Sequence, residues 1–424
     1  MAPPCQSRYF LAMTDPRNIE RAVSIHYYGR GGSFFVQSLL DGHPDVLTFP
    51  ANYMCGYFAF WDEFGHLPTV ELCAAFVDCY DILFDPRSSV PVLGVGADVG
   101  QEFNFTAMGE RHGEALGVDR DLFAFTLLRL LKHEIDDGMT ETVERKFFFQ
   151  ALHVAYAEAL GRQFDSANPL IVFQAHNPFF HAIDSLFSDF GPRLKCLHSV
   201  REPLQTLASW YHSMRQDEDV GDLDLPRDTL IRALAHASPI FTWTHHLSPD
   251  HQGVGRYVAM NERNTRAVRL EDLHQTPEAT LQRLCRWLDI DWHEALLAST
   301  FDGKLWHWKV RGETLSGFQN QTISRRHDEV LSDFDRLRLQ FLLADKHAAW
   351  GYEMPAWFRL APLGLLALGF WLLPFRMETS LWSSRLAKGS AWQRSRAYLQ
   401  LRMQVIGIWW RIFRRPLPLL ELID

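Results

Sequence analysis

The stretch Ser24-Ile25-His26-Tyr27-Tyr28-Gly29-Arg30-Gly31-Gly32-Ser33-Phe34-Phe35-Val36 runs a short apolar strand into a glycine-rich, cationic turn that opens a helix. Backbone N–H groups at a helix start point outward without intrahelical partners, and glycines let the chain pass close to an anion. Arg30 adds a full positive charge to that cradle. No Gly-Lys-Ser/Thr closes the turn after four intervening residues, so its spacing is not that of the nucleotide triphosphatase phosphate loop. By itself the pattern also fits an ordinary tight strand-to-helix turn.

A second segment narrows the choice. Leu194-Lys195-Cys196-Leu197-His198-Ser199-Val200 reads as a strand, followed at once by Arg201-Glu202-Pro203-Leu204, with proline placed to start a helix. Arg201 then lies at the carboxyl end of a strand and Ser209 about two turns into the next helix, where the two can face one anion. Ligands of open α/β sheets bind at such strand ends.

Gly29-Arg30-Gly31-Gly32-Ser33, then Arg201 with Ser209, then Ala267-Val268-Arg269-Leu270-Glu271-Asp272-Leu273 leading into a helix from Pro277 to Leu288 resembles the sulfotransferases that use 3′-phosphoadenosine 5′-phosphosulfate. The ordered set carries the resemblance, which spans most of residues 20 to 352. It implies an α/β fold like that of the P-loop nucleotide triphosphatases, with a mostly parallel open sheet. It also implies that Gly29 to Phe34 receive the 5′-phosphosulfate: Arg30 meets the leaving group, and Ser33 with the Gly31 and Gly32 amides grips the phosphate. Phe34 stands where many members carry a second hydroxyl. Arg201 and Ser209 are similar to the 3′-phosphate pair, and Arg311 and Gly312, in the stretch from Lys309 to Asn320, resemble the late loop that closes over the donor.

Sulfuryl transfer to an alcohol needs a base for the hydroxyl proton and a cation for the departing oxygen. One family base position falls near Pro50, which supplies no carboxylate. The other is filled by His176, in Ile171-Val172-Phe173-Gln174-Ala175-His176-Asn177-Pro178, while Gln174 stands where some relatives have lysine. Imidazole titrates near neutrality and suits a general base, although a histidine here could instead cap the turn or bind the acceptor. His245-His246 and Asp250-His251 form no convincing ligand set, so no metal is expected.

At 424 residues and 47% hydrophobic content the chain has room for a large catalytic domain and an appendage. Its six scattered cysteines lack metal-ligand pairing and read as reduced. No long apolar segment follows Met1 to Arg8, from which a cytoplasmic protein is expected. The net charge of −9 is divided: residues 355–424 hold ten Lys/Arg against three acids, a net of +7, which leaves −16 on the rest. An acidic body argues against nucleic-acid binding, and a basic tail rich in tryptophan suggests an anionic membrane surface.

Within that tail, Leu360 to Phe375 carry no charge, but as a helix they would span about 24 Å, short of the roughly 30 Å hydrocarbon core. Farther on, Gln400, Gln404, Gly407, Arg411 and Arg414 recur at helical steps, with Leu399, Met403, Ile406, Trp409, Trp410 and Phe413 opposite, an amphipathic pattern that predicts peripheral attachment. The alternative is a terminal helical pair packed on the core or on a second subunit.

The expected organisation is therefore a catalytic domain over 1–354 with a helical insertion at about 55–165, and a membrane-associating segment over 355–424. Strands are expected near 22–27, 170–173, 194–200 and 268–270, and a helix over Phe147 to Leu160. The expected activity is sulfuryl transfer from 3′-phosphoadenosine 5′-phosphosulfate to a hydroxyl of a carbohydrate or lipid-linked acceptor. A kinase-like phosphoryl transferase and a non-catalytic nucleotide-binding adaptor are the competing readings, and oligomerisation is open.

Overall fold

The computed structural model describes residues 15–26, 30–54, 56–89, 105–132, 142–162, 169–175, 180–215, 224–235, 264–310, 313–324, 328–355, 363–382, 390–414 and 419–424. In chain order the strands are β1 Arg21–His26, β2 Val46–Thr48, β3 Leu170–Ala175, β4 Leu194–Val200, β5 Thr265–Arg269, β6 Thr300–Phe301, β7 Lys304–Leu305, β8 His307–Val310 and β9 Glu313–Ser316. Helices α1 Ser33–Asp41, α2 Tyr57–Phe64, α3 Thr69–Cys79, α4 Arg120–Leu131, α5 Arg145–Ala159, α6 Phe180–Phe190, α7 Pro203–Met214 and α8 Asp224–Ala235 precede β5. After it come α9 Leu270–Gln275, α10 Pro277–Leu288, α11 Asn320–Ile323, α12 Asp333–Leu342, α13 Ala344–Ala349, α14 Leu363–Leu372, α15 Arg376–Trp382 and α16 Ala391–Arg414.

Among the described residues β1 to β5 form one parallel sheet in the order β2-β3-β1-β4-β5. β1 and β3 are almost entirely buried, as expected of parallel strands covered by helices on both faces. β1 is central, His26 lying level with Ala175 of β3 on one side and His198 of β4 on the other. The sheet thus delivers the carboxyl ends of β1, β3 and β4 to one edge, where an α/β sheet binds ligands.

The strand β2 carries only three residues, too short for a period-2 pattern to mark it in sequence. β5 begins three residues earlier than expected and stops at Arg269, because Leu270 opens α9. The expected loop at 309–320 includes an antiparallel hairpin, with His307 paired to Ser316 and Val310 to Glu313.

Helix α1 is buried along its whole length, so its polar side chains need internal partners. Gln37 donates to Thr48 Oγ1 at 2.8 Å and to the Phe49 carbonyl at 2.7 Å, and Ser38 and Ser299 hydroxyls lie 2.6 Å apart. Asp41 at its last turn accepts from Thr300 Oγ1, the Asp302 amide and the Gly303 amide at 3.0, 3.2 and 3.0 Å. The insertion, α2 to α5, packs an aromatic layer in which Phe76 stacks on Tyr80 at 4.4 Å and Phe149 meets Tyr57 at 4.9 Å.

Asp302 itself accepts the Tyr156 hydroxyl at 3.0 and 3.1 Å, with Asp41 beside it and Lys304 and Arg162 as the nearest cations. Burial first, and the Asp41 charge second, push its carboxyl from 3.8 up to about 7. The folded state therefore holds a proton that the unfolded chain has released, and stability is lost as pH rises from about 4 through 7. Asp302→Asn, which suits the left-handed φ of 53° at this position, should stabilise the protein by about 1–3 kcal/mol at pH 8 and by little at pH 4. Urea midpoints of the two proteins at both pH values check this; equal differences would rule out a protonated Asp302.

A second apolar cluster lies apart from the first. Leu204, Leu207 and Tyr211 of α7 and Leu230 of α8 pack with Leu339 of α12, Trp371 of α14 and Trp409 of α16. Residues of α14 and α16 therefore share a core with the helices that follow β4 and β5. Ile406 and Trp409, expected on a lipid-facing side, are buried against this cluster instead. The chain's last residues also join the sheet: Ala267 of β5 donates to the Glu421 carbonyl at 2.7 Å and accepts from the Ile423 amide at 2.9 Å.

Candidate active site

Four residues past the end of β1 the described chain resumes at Arg30, whose φ of 52° lies in the left-handed region. Gly31 and Gly32 follow, Gly32 capping α1 at φ 88°, which an L side chain resists. Each glycine also solves a packing problem. A Cβ on Gly31 would lie 2.5 Å from the Ser199 carbonyl oxygen of β4, and one on Gly32 would lie 2.6 Å from Leu270 Cδ1. Ser199 Oγ donates to the Gly31 carbonyl, which pins the turn to the neighbouring strand.

The first-turn amides of α1 consequently face the edge where the strands end, the polarity that favours an anion. Ser33 is buried, and its Oγ accepts from Gln174 Nε2 at 3.0 Å, leaving the hydroxyl proton available for donation. The Gln174 Oε1 atom is buried without a partner among the described residues. Phe34 turns its ring into the core, so its contribution to a ligand is confined to the backbone N–H. Arg30 donates to Ser213 Oγ on α7, and its Nε is buried without a partner among the described residues. Ser209 sits one turn before Ser213 on the same face of α7, which places it toward the Arg30 side.

Arg201 follows β4 directly, is buried, and donates to the Thr322 carbonyl of α11 at 2.6 Å. The turn that holds it is over-determined. Glu202 caps α7 by accepting the Gln205 amide at 2.7 Å, its other oxygen lies 2.9 Å from His347 Nε2, and its own amide donates to Glu271 Oε1 at 2.9 Å. Glu271 in turn accepts the Tyr352 hydroxyl at 2.8 Å. On the other side of Arg201, His274 stacks on Phe35 at 4.6 Å and accepts the Gln319 amide at Nδ1, 2.9 Å away. Burial, then the Arg201 charge, holds that imidazole down to about 4, so it stays neutral beside the arginine.

Beneath the turn, the His26 and His198 rings lie 4.5 Å apart, and burial pushes His26 down to about 4. Neither histidine stood out in the sequence, since alternate strand residues reveal a face but not which neighbour shares it. Ser199, Ser213 and Thr322 were equally invisible there; the one available signal was the four-residue spacing of Ser209 and Ser213. Gly29, His176, Arg311 and Gly312 lie outside the described residues, as do the His245-His246 and Asp250-His251 pairs. Among the described residues no group of three His, Cys, Asp or Glu side chains could hold a metal ion.

A parallel sheet whose central strand is followed by a glycine turn with one arginine, beside a strand followed at once by another, defines an α/β protein with two cations at neighbouring strand ends. Within that class the chain belongs to the sulfotransferase domain family, which matches residues 22–305, and its activity is accordingly a transferase's. No curated protein matches the chain. Among solved structures it is similar to the sulfotransferase domain from the curacin biosynthetic pathway, at 13% identity and a TM-score of 0.41, over 80% of this chain and 99% of that one. It is also similar to the sulfotransferase domain of the Synechococcus PCC 7002 olefin synthase, at 16% identity and a TM-score of 0.39, over 80% and 97% of the two chains. Sulfotransferase STF9 from Mycobacterium avium matches at 13% identity and a TM-score of 0.33, over 79% and 78%.

Proposed function

We propose that the protein transfers the sulfuryl group of 3′-phosphoadenosine 5′-phosphosulfate to a hydroxyl of a carbohydrate or lipid-linked acceptor. The observation that carries this reading is the Arg30–Ser33 turn, fastened to β4 through Ser199, with Arg201 one residue beyond that same strand. Two cations on adjacent strand ends match a donor that bears phosphate at both ends of a nucleoside. When bound, the donor supplies a sulfuryl group already joined to a good leaving group. The Gly31 to Phe34 amides and the Ser33 hydroxyl hold its 5′-phosphate, and Arg30 offsets the negative charge that gathers on the departing oxygen. Arg201 and Ser209, with Arg311 and Gly312, which lie between β8 and β9 in sequence, hold the 3′-phosphate.

His176, the residue after β3 ends at Ala175, accepts the proton of the acceptor hydroxyl. The strand order lends this support, because β3 adjoins β1 and its end opens beside the glycine turn.

Calorimetric titration with adenosine 3′,5′-bisphosphate, and with ATP in the presence and absence of magnesium, tests the reading. Tight, magnesium-independent binding of the bisphosphate is expected. Arg201→Ala should weaken it about 10- to 100-fold, the range for a lost charge-assisted hydrogen bond. His176→Ala should leave it unchanged while abolishing turnover. Preference for ATP with magnesium would overturn the sulfuryl assignment, and equal loss of binding and turnover in His176→Ala would remove the histidine as base.

A further inference from the structure

Helix α16 exposes apolar side chains that its packing does not require. Trp392, Leu399, Met403 and Trp410 are 68%, 60%, 62% and 48% exposed. Their steps of seven, four and seven residues place them within about 40° of one another around the helix. Arg402, Val405 and Trp409 point to a different side and are buried, with Arg402 paired to Glu378. α14 packs on α16 and exposes Leu368 and Leu372, while its Ala367 and Trp371 are buried. Two adjoining helices thus each bury one apolar side in the protein and present another to the surroundings.

Charge says what that surface meets. α16 carries Arg394, Arg396, Arg402, Arg411 and Arg414 and no acidic residue. Arg396, Arg411 and Arg414 are exposed, and the Arg396 guanidinium lies 5.7 Å over the Trp392 ring, at the margin of the apolar stripe. Bulky apolar side chains with tryptophan at both ends and arginines alongside suit the headgroup region of a bilayer with anionic lipid, where each arginine contributes about 1 kcal/mol. A symmetric contact with a second copy through the same stripe would instead bring these arginines against their equivalents. Nor is a crossing indicated: α14 is about 15 Å long, and among the described residues no helix is long and apolar enough to span a membrane.

We propose that the α16 stripe, with the exposed leucines of α14, seats the protein on the surface of an anionic lipid bilayer. This inference is independent of the donor assignment. Flotation of the full chain with vesicles of phosphatidylcholine alone and of phosphatidylcholine mixed with phosphatidylserine tests it. The wild-type protein should float with the mixed vesicles and much less with the neutral ones. A Leu399→Glu, Met403→Glu, Trp410→Glu variant, altered only at exposed positions, should lose at least tenfold in the floated fraction with an unchanged circular-dichroism melt. A Leu204→Ala variant, altered in the buried cluster, should still float. Failure of the wild type to bind the mixed vesicles, or equal flotation of the triple variant, overturns the proposal. So does a wild-type dimer that the triple variant converts to monomer without any vesicle binding, since the stripe would then belong to a second copy.

Discussion

Gly31→Ala should cost about 100-fold in affinity for adenosine 3′,5′-bisphosphate. The added methyl group would lie 2.5 Å from the Ser199 carbonyl oxygen and 3.4 Å from its carbon. Both are backbone atoms of β4, which is paired on both sides, to β1 and to β5. The strand cannot yield, so the turn must back away by close to 1 Å, breaking the Ser199 hydroxyl bond to the Gly31 carbonyl. A displacement of that size at a positioning loop is enough for a hundredfold effect. Gly32→Ala offers a contrast: its clash is with a Leu270 methyl group that can rotate, and its left-handed φ adds about 1–2 kcal/mol of strain. Calorimetry on the two variants should therefore rank Gly31→Ala as the weaker binder, with both proteins folded by circular dichroism. Wild-type affinity in Gly31→Ala would mean that the turn is not the phosphate cradle.

The same turn shows what could be read in advance and what could not. Strand β1, the turn and α1 were legible because their signals are local: an apolar run, consecutive glycines and a helix start within thirteen residues. β4 and Arg201 were legible for the same reason, as was α10, whose ends at Pro277 and Leu288 agree with the expected ones. The reason for Gly31 was not legible, since the atom that forbids a side chain belongs to Ser199, 168 residues away. Gln174 illustrates the same gap. As a sequence feature it was a departure from lysine; in the fold its amide holds the Ser33 hydroxyl, a contact spanning 141 residues. The C-terminal helix was half legible. Its hydrophobic side is wide enough to serve two neighbours, and periodicity alone cannot divide Ile406 and Trp409, which face the protein, from Met403 and Trp410, which do not.

Arg338→Met should be the most destabilising single change in the second cluster, at about 3–5 kcal/mol, or a fall of about 3–6 °C in Tm. Arg338 is 1% exposed, yet its guanidinium donates to the carbonyls of Phe370, Leu373 and Pro374 at 3.1, 2.8 and 2.9 Å. Those carbonyls lie at and just beyond the end of α14, where the helix has no partners of its own to offer. Arg338 also forms an ion pair with Asp335 and lies over the Phe375 and Phe334 rings, 4.0 and 5.0 Å from the guanidinium carbon. Methionine fills much of the volume but leaves the carbonyls bare and the Asp335 charge buried without its cation. Asp335 would keep the Ser332 hydroxyl at 2.8 Å and the Arg376 amide at 3.0 Å, which offset part of that cost. Adding Asp335→Asn to Arg338→Met should therefore recover stability, because a buried charge is removed along with its lost partner. Urea midpoints of the two single variants and the double check both statements; a single Arg338→Met cost below 1 kcal/mol would show that the carbonyls are hydrated in solution. The damage should also reach the active site, since Tyr211 of α7 donates to the Met377 carbonyl at 3.0 Å, just beyond the segment that Arg338 ties down. α7 carries Ser209 and the Ser213 that meets Arg30, so loosening its far side should weaken bisphosphate binding before the protein unfolds.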